Sequence, residues 1–97
     1  MGNKYLECPC CGYYSVNGHG DICQVCYWEY DLETEYKGET VFVMNGMTLN
    51  QAKDNFIQHG AVEIHLIEYV LPYEARSQFK VSVEGKRLQY LTTKFTK

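Results

Sequence analysis

The stretch CPCCGYYSVNGHGDICQVC, from Cys8 to Cys26, decides the fold. It holds all five cysteines of the chain. Cys8 and Cys11 form one C-x-x-C pair, Cys23 and Cys26 form another, and eleven residues separate the two. Each pair can grip a metal ion from a tight turn, and the connector lets the turns face each other. Four thiolates in a tetrahedron suit one Zn²⁺. Pro9 fixes φ just after the first ligand, and Gly12, just after the second, can take the positive φ that such a turn needs. The second pair departs from this pattern, because Tyr27 follows Cys26. Cys10 is left over. A C-x-C bite by Cys8 and Cys10 is less usual, so Cys10 is expected mid-turn, pointing away from the metal as a small buried hydrophobe. The sharper alternatives are a redox-active thiol or an exchangeable ligand.

The rest of the chain bounds this reading. Ninety-seven residues, 45% hydrophobic and 22% charged, make one globular domain. No apolar run approaches the roughly 20 residues that span a bilayer. The N-terminal residues carry neither a signal-peptide pattern nor the myristoylation motif, so the expected location is the cytoplasm. There, clustered cysteines read as metal ligands or catalytic thiols rather than disulfides. Charge is uneven: residues 1–75 hold three lysines against eleven carboxylates, a net of −8, and residues 76–97 hold six cations against Glu84, a net of +5. Such asymmetry bears on partners rather than fold.

Outside the cysteines, no catalytic constellation is legible. His19 reads as a solvated loop residue beside a tight Asn17-Gly18 turn, with a short hairpin expected in the connector. His59 falls at a helix end, where a partly protonated imidazole suits the dipole, and His65 is expected to pack. The H-x-E and P-C-x-x-C pattern of zinc deaminases is absent. Residues 27–39 combine Tyr27, Trp28, Tyr30 and Tyr36 with Glu29, Asp31, Glu33, Glu35 and Glu39. In one reading Tyr27 and Trp28 cover the metal site and the carboxylates form a solvated loop. In the other, Trp28, Glu29, Tyr30, Asp31, Glu33 and Glu35 form a contact surface for a basic partner.

Thr40–Met44 is a β-branched and aromatic run closed by Asn45-Gly46, hence a strand and a turn. Thr48 and Gln51 form a capping box, Leu49, Ala52 and Phe56 follow at helical spacing, and Gly60 suits a helix end. The spacing predicts a helix over 49–59. Residues 62–71 fit a helix or a strand; Pro72 and the capped helix before them favour a second short helix. In residues 79–90 a turn at Glu84-Gly85 would place Phe79, Val81, Leu88 and Tyr90 on one face, which predicts a β-hairpin. The rival is a helix using Leu88, Leu91 and Phe95.

CPCCGY, then ICQVCYWEYD, then TLNQAKDNFIQHGA resemble the bacterial cysteine-rich CPCC family over roughly residues 7–72. The departures are Gln24, where proline is expected, and the basic extension 73–97. The resemblance implies a metal-binding fold without an assigned enzymatic activity. Because some small proteins of this kind sit beside polymorphic toxins, it also implies an immunity role.

The expected architecture is therefore α+β: a small zinc-ribbon-like double knuckle (residues 1–39), a strand and one or two helices (40–72), and a C-terminal β-hairpin within the basic extension (73–97). The expected function is a non-enzymatic, zinc-stabilised protein-binding module, a toxin-neutralising immunity-type protein whose acidic surface meets a basic toxin domain. The alternatives are a nucleic-acid-binding zinc-ribbon protein acting through Arg76–Lys97, disfavoured by overall acidity, and an iron-tetrathiolate or thiol redox protein.

Overall fold

A computed structural model describes residues 5–31, 41–42 and 45–93. The chain opens with β1 (Leu6–Glu7) and β2 (Tyr14–Val16), an antiparallel pair that joins Leu6 to Val16 and Glu7 to Tyr14 across an irregularity. The first C-x-x-C forms the turn between them. The expected hairpin within the connector is displaced. Strand pairing closes around the two cysteine turns instead, with Ile22 bridged to Glu29 across the second. Asn17 N–H bonds the Asp21 carboxylate at 2.7 Å, and Gly20 turns the chain at φ 85°.

β3 (Val41–Phe42) and β4 (Met47–Thr48) pair antiparallel around the expected Asn45-Gly46 turn. The flanking positions 40, 43 and 44 of the expected strand lie outside the described residues. Helix α1 (Leu49–His59) matches expectation at both ends. The Thr48 hydroxyl accepts from the Gln51 N–H at 3.0 Å, while the Gln51 amide oxygen accepts from the Thr48 N–H at 2.9 Å. Gly60 ends the helix at φ 93°, a value that glycine takes at little cost. Leu49, Ala52 and Phe56 are the face it buries.

The expected second short helix is a 3₁₀ helix, Ile64–Tyr69, and another, Tyr73–Gln78, follows Pro72. Tertiary anchors hold this stretch: Leu71 N–H bonds the Gln24 carbonyl at 2.9 Å, and Val62 N–H bonds the Cys26 carbonyl at 2.9 Å. His65 is exposed rather than packed, 3.2 Å from Glu63. The expected C-terminal hairpin is not formed. Val83–Thr93 form helix α2 instead, and Glu84-Gly85 lie in its first turn. Ser82 starts it by accepting the Gly85 N–H on its hydroxyl at 3.0 Å, an N-cap bond. Among the described residues, only Val81 pairs as the hairpin required of a strand, and its partner is Tyr13.

The buried side chains form one cluster from the five cysteines through Trp28 and Phe56 to Phe79 and Leu88. The C-terminal segment is thus packed into the same core as the cysteine turns. The closest join is between Gly12 and Gly85: a Cβ on Gly12 would lie 2.4 Å from the Gly85 Cα. Ser82 N–H bonds the Gly12 carbonyl at 2.8 Å, and Tyr14 N–H bonds the Lys80 carbonyl at 2.9 Å.

Candidate metal centre

The two cysteine turns are built alike. In the first, Gly12 N–H returns to the Cys8 carbonyl at 2.8 Å and Cys8 N–H bonds the Tyr13 carbonyl at 2.8 Å; in the second, Tyr27 N–H returns to Cys23 at 2.8 Å and Cys23 N–H bonds Trp28 at 2.9 Å. The match extends to the backbone after each pair, with φ 80° at Gly12 and 75° at Tyr27. The second turn therefore does without a glycine by straining a tyrosine into the left-handed region, at a cost of about 1–2 kcal/mol. The ring of Tyr27 packs 6.0 Å from that of Tyr69, which helps to hold it there. The Asn45 side chain braces Glu29, two residues on, from both sides, accepting the Glu29 N–H at 2.9 Å and donating to the Glu29 carbonyl at 3.0 Å.

These turns bring Cys8, Cys11, Cys23 and Cys26 together, fully buried, with their sulfurs within 4.8 Å of one another. Cys8 and Cys26 lie 3.6 Å apart, as do Cys11 and Cys23. A tetrahedron with metal–sulfur bonds of about 2.3 Å has edges of about 3.8 Å, so the four thiols already have the spacing of a tetrathiolate site. None of them is in a disulfide. Cys10 is buried as well and lies outside the group of four, but its thiol is close enough to Cys26 to help push that thiol up.

Electrostatics point to a cation. Burial pushes the Cys8, Cys11 and Cys26 thiols up from their ordinary range; neighbouring thiols add to the rise at Cys26 and act in both directions at Cys8 and Cys11. Burial also pushes Cys23 up, but hydrogen bonds from Cys11, Cys26, Cys8 and Ser15 outweigh it and hold Cys23 well below the usual thiol range. One thiolate forms readily and the others resist ionising beside it. A bound cation removes that resistance, because metal ligation deprotonates a thiol outright.

Ser15 is a supporting residue that pattern reading missed. It is buried, its hydroxyl lies 3.0 Å from the Cys23 sulfur, and Val25 N–H donates to the same sulfur at 3.3 Å. Its only sequence signal is a small polar residue beside aromatic ones in a short strand.

The proposed contact surface is placed differently. Trp28 is fully buried, so it belongs to the core over the cysteines rather than to an exposed face. Glu29, Tyr30 and Asp31 are half-buried, and Glu33 and Glu35 lie outside the described residues. His19 is exposed, 3.7 Å from Asp31, away from the thiols. In the basic segment, Arg76 is buried and Arg87 is paired with Glu84 at 2.6 Å.

The family model for cysteine-rich CPCC proteins matches residues 6–77, from β1 through the second 3₁₀ helix. The chain belongs to the cysteine-rich CPCC family. No curated protein and no solved structure matches it. The CPCC run of the family is Cys8-Pro9-Cys10-Cys11 here, two of whose thiols enter the cluster. Helix α2 lies beyond the matched region, yet it packs on the glycine that follows this run.

Proposed function

We propose that this CPCC protein is a non-catalytic, zinc-stabilised, zinc-ribbon-like module that works by binding another protein. The observation carrying the first part is the closed thiol shell. Catalytic zinc keeps an open position for water or substrate, whereas structural zinc is enclosed by four protein ligands. Here Cys8, Cys11, Cys23 and Cys26 would fill the shell, and burial excludes substrate from it. Bound zinc would fix the two turns against each other.

Charge supports the choice of partner. Residues 1–75 carry a net of −8, and four thiolates with one Zn²⁺ would add −2. Such a surface steers basic proteins towards it and repels nucleic acid. A basic toxin domain, neutralised by an immunity-type contact, is the narrowest form of this reading. The nucleic-acid alternative is weakened, since Arg76 is buried and Arg87 is neutralised by Glu84.

Three measurements test the proposal. Elemental analysis of the purified chain should find one zinc per chain in a colourless protein, whereas a red protein with iron would establish the redox alternative. Pull-down from the native host should identify a basic partner. Replacing Glu29, Asp31, Glu33 and Glu35 with their amides should then slow its association without loss of metal, and an unchanged rate would overturn the acidic-surface reading.

A further inference from the structure

The 3₁₀ helix Ile64–Tyr69 leaves large apolar side chains exposed. Side chains three positions apart eclipse on such a helix. Leu66 and Tyr69 therefore share one face, and Ile64 and Ile67 share another. The first face leans on the fold: Leu66 packs against the core, and the Tyr69 ring lies 6.0 Å from that of Tyr27. The second is open, with Ile64 62% and Ile67 44% exposed. Exposed apolar residues scattered singly mean little. These are not scattered. Ile67 also lines a cavity of about 380 Å³ with Leu71, Pro72 and the exposed Tyr73, so ridge and cavity form one continuous apolar surface.

The exposed charge around this surface is acidic. Residues 63–75 hold Glu63, Glu68 and Glu74 and no lysine or arginine. Glu68 and Glu74 are exposed. Arg76, also on the cavity wall, is buried, with its guanidinium over the Phe56 and Tyr73 rings. His59 is on the same wall, and His65 sits 3.2 Å from Glu63. Glu63 lines a second cavity of about 220 Å³ with Tyr27, Glu29 and Leu66, which joins the ridge to the acidic stretch after the second cysteine turn. Anionic lipid and nucleic acid are repelled by such a rim, while the ridge itself is satisfied by an apolar partner.

We propose that the Ile64–Ile67 ridge and the cavity beside it dock a basic amphipathic segment of another protein. One apolar side chain of that segment enters the cavity, and its lysines or arginines meet Glu63, Glu68 and Glu74. An apolar anchor in a pocket, set within a polar rim, is a common form of protein interface. The inference rests on the protein-binding reading and gives it an anchor, whereas the acidic residues after Trp28 supply steering.

The test uses the full, metal-loaded chain and two synthetic amphipathic helices of about 16 residues, one of leucine and lysine, the other of leucine and glutamate. The lysine peptide should bind and move the backbone amide resonances of residues 64–73. The glutamate peptide should bind at least about tenfold more weakly. Ile64→Ser combined with Ile67→Ser alters only exposed positions, so melting temperature and metal content should stay unchanged. Its affinity for the lysine peptide should fall at least about tenfold. Should the double variant fail to fold, the resonance map of the unaltered chain still decides. Shifts confined to residues outside 59–76, no binding at about 1 mM, or equal binding of the two peptides would overturn the proposal. So would self-association that the double variant lacks, which makes a second copy the occupant, or retention on neutral lipid vesicles, which makes it a membrane. A native partner that binds the double variant as tightly as the unaltered chain would overturn the docking site and leave protein binding standing. Failure of the protein-binding reading shows separately, as the lack of any native partner for either chain.

Discussion

At the scale of single residues, the five cysteines are chemically equal and structurally distinct. Four sulfurs converge and the fifth, Cys10, packs beside them. Serine at Cys8, Cys11, Cys23 or Cys26 should lower metal affinity by at least about 100-fold, the upper end of what a merely supporting residue is worth. Cys10→Ser should keep one metal per chain. Metal titration against a competing chelator reads both outcomes, and loss of metal in Cys10→Ser would mean that the ligand set is wrong. Tyr27 offers a second test, because its φ of 75° inverts the usual order of substitutions. Both Tyr27→Ala and Tyr27→Gly lose the ring contact with Tyr69, but only alanine keeps a Cβ in the left-handed region. Tyr27→Gly should therefore be the more stable of the two by about 1 kcal/mol in denaturant unfolding. The reverse order would show that the second turn is unstrained.

At the scale of elements, what was legible in the sequence was what is decided locally. Helix α1 is announced by Thr48, Gln51 and Gly60, all within or beside the helix they punctuate. The thiol cluster is announced by spacing, because two residues between cysteines set the bite of one turn. Helix α2 is different. Phe79, Val81, Leu88 and Tyr90 alternate well enough for a hairpin, and the choice of helix rests on Ser82 as its cap and on a glycine more than sixty residues earlier. A window of sequence cannot contain that contact. Arg76 was equally illegible, since arginine is ordinarily a surface residue, whereas the burial of Trp28 was one of the two readings the sequence offered. The Gly12–Gly85 join yields a prediction of unusual sign. Glycine to alanine inside a helix ordinarily stabilises by roughly 0.5–1 kcal/mol. At Gly85 the new Cβ would stand 2.5 Å from Val81 Cγ2 and 2.7 Å from the Gly12 oxygen. Gly85→Ala should instead destabilise by about 1–3 kcal/mol, the range for overpacking. A neutral or stabilising result in urea unfolding would mean that α2 is not seated on the first turn.

For the whole molecule, a metal held by the four thiols would be the largest single term. Structural zinc binds with roughly 10–16 kcal/mol of apparent free energy, and entire domains are stable by about 5–15 kcal/mol. Removing it should abolish the cooperative melt of the region around the cysteines, while an unchanged melting temperature after confirmed metal loss would overturn the structural role. The pH sign follows from the thiols. Burial keeps Cys8, Cys11 and Cys26 protonated in the metal-free cluster, and the metal-bound form holds them as thiolates. The bound form therefore carries fewer protons, its stability is present at neutral pH, and it is lost as pH falls. Competition with a chelator whose own pH dependence is known should show weaker binding at pH 6 than at pH 8. Equal affinity would exclude thiolate ligands. One further consequence comes from the seat of α2 on Gly12. Chains are synthesised from the N-terminus at about 5–20 residues per second, so Gly85 leaves the ribosome several seconds after Gly12. Until then the growing chain can close its thiols on a metal, but the Gly12 carbonyl and the Tyr14 N–H still await Ser82 and Lys80. A nascent chain stalled before α2 should therefore capture metal yet remain open to protease along β2, and α2, translated later, should seal the turn made earlier.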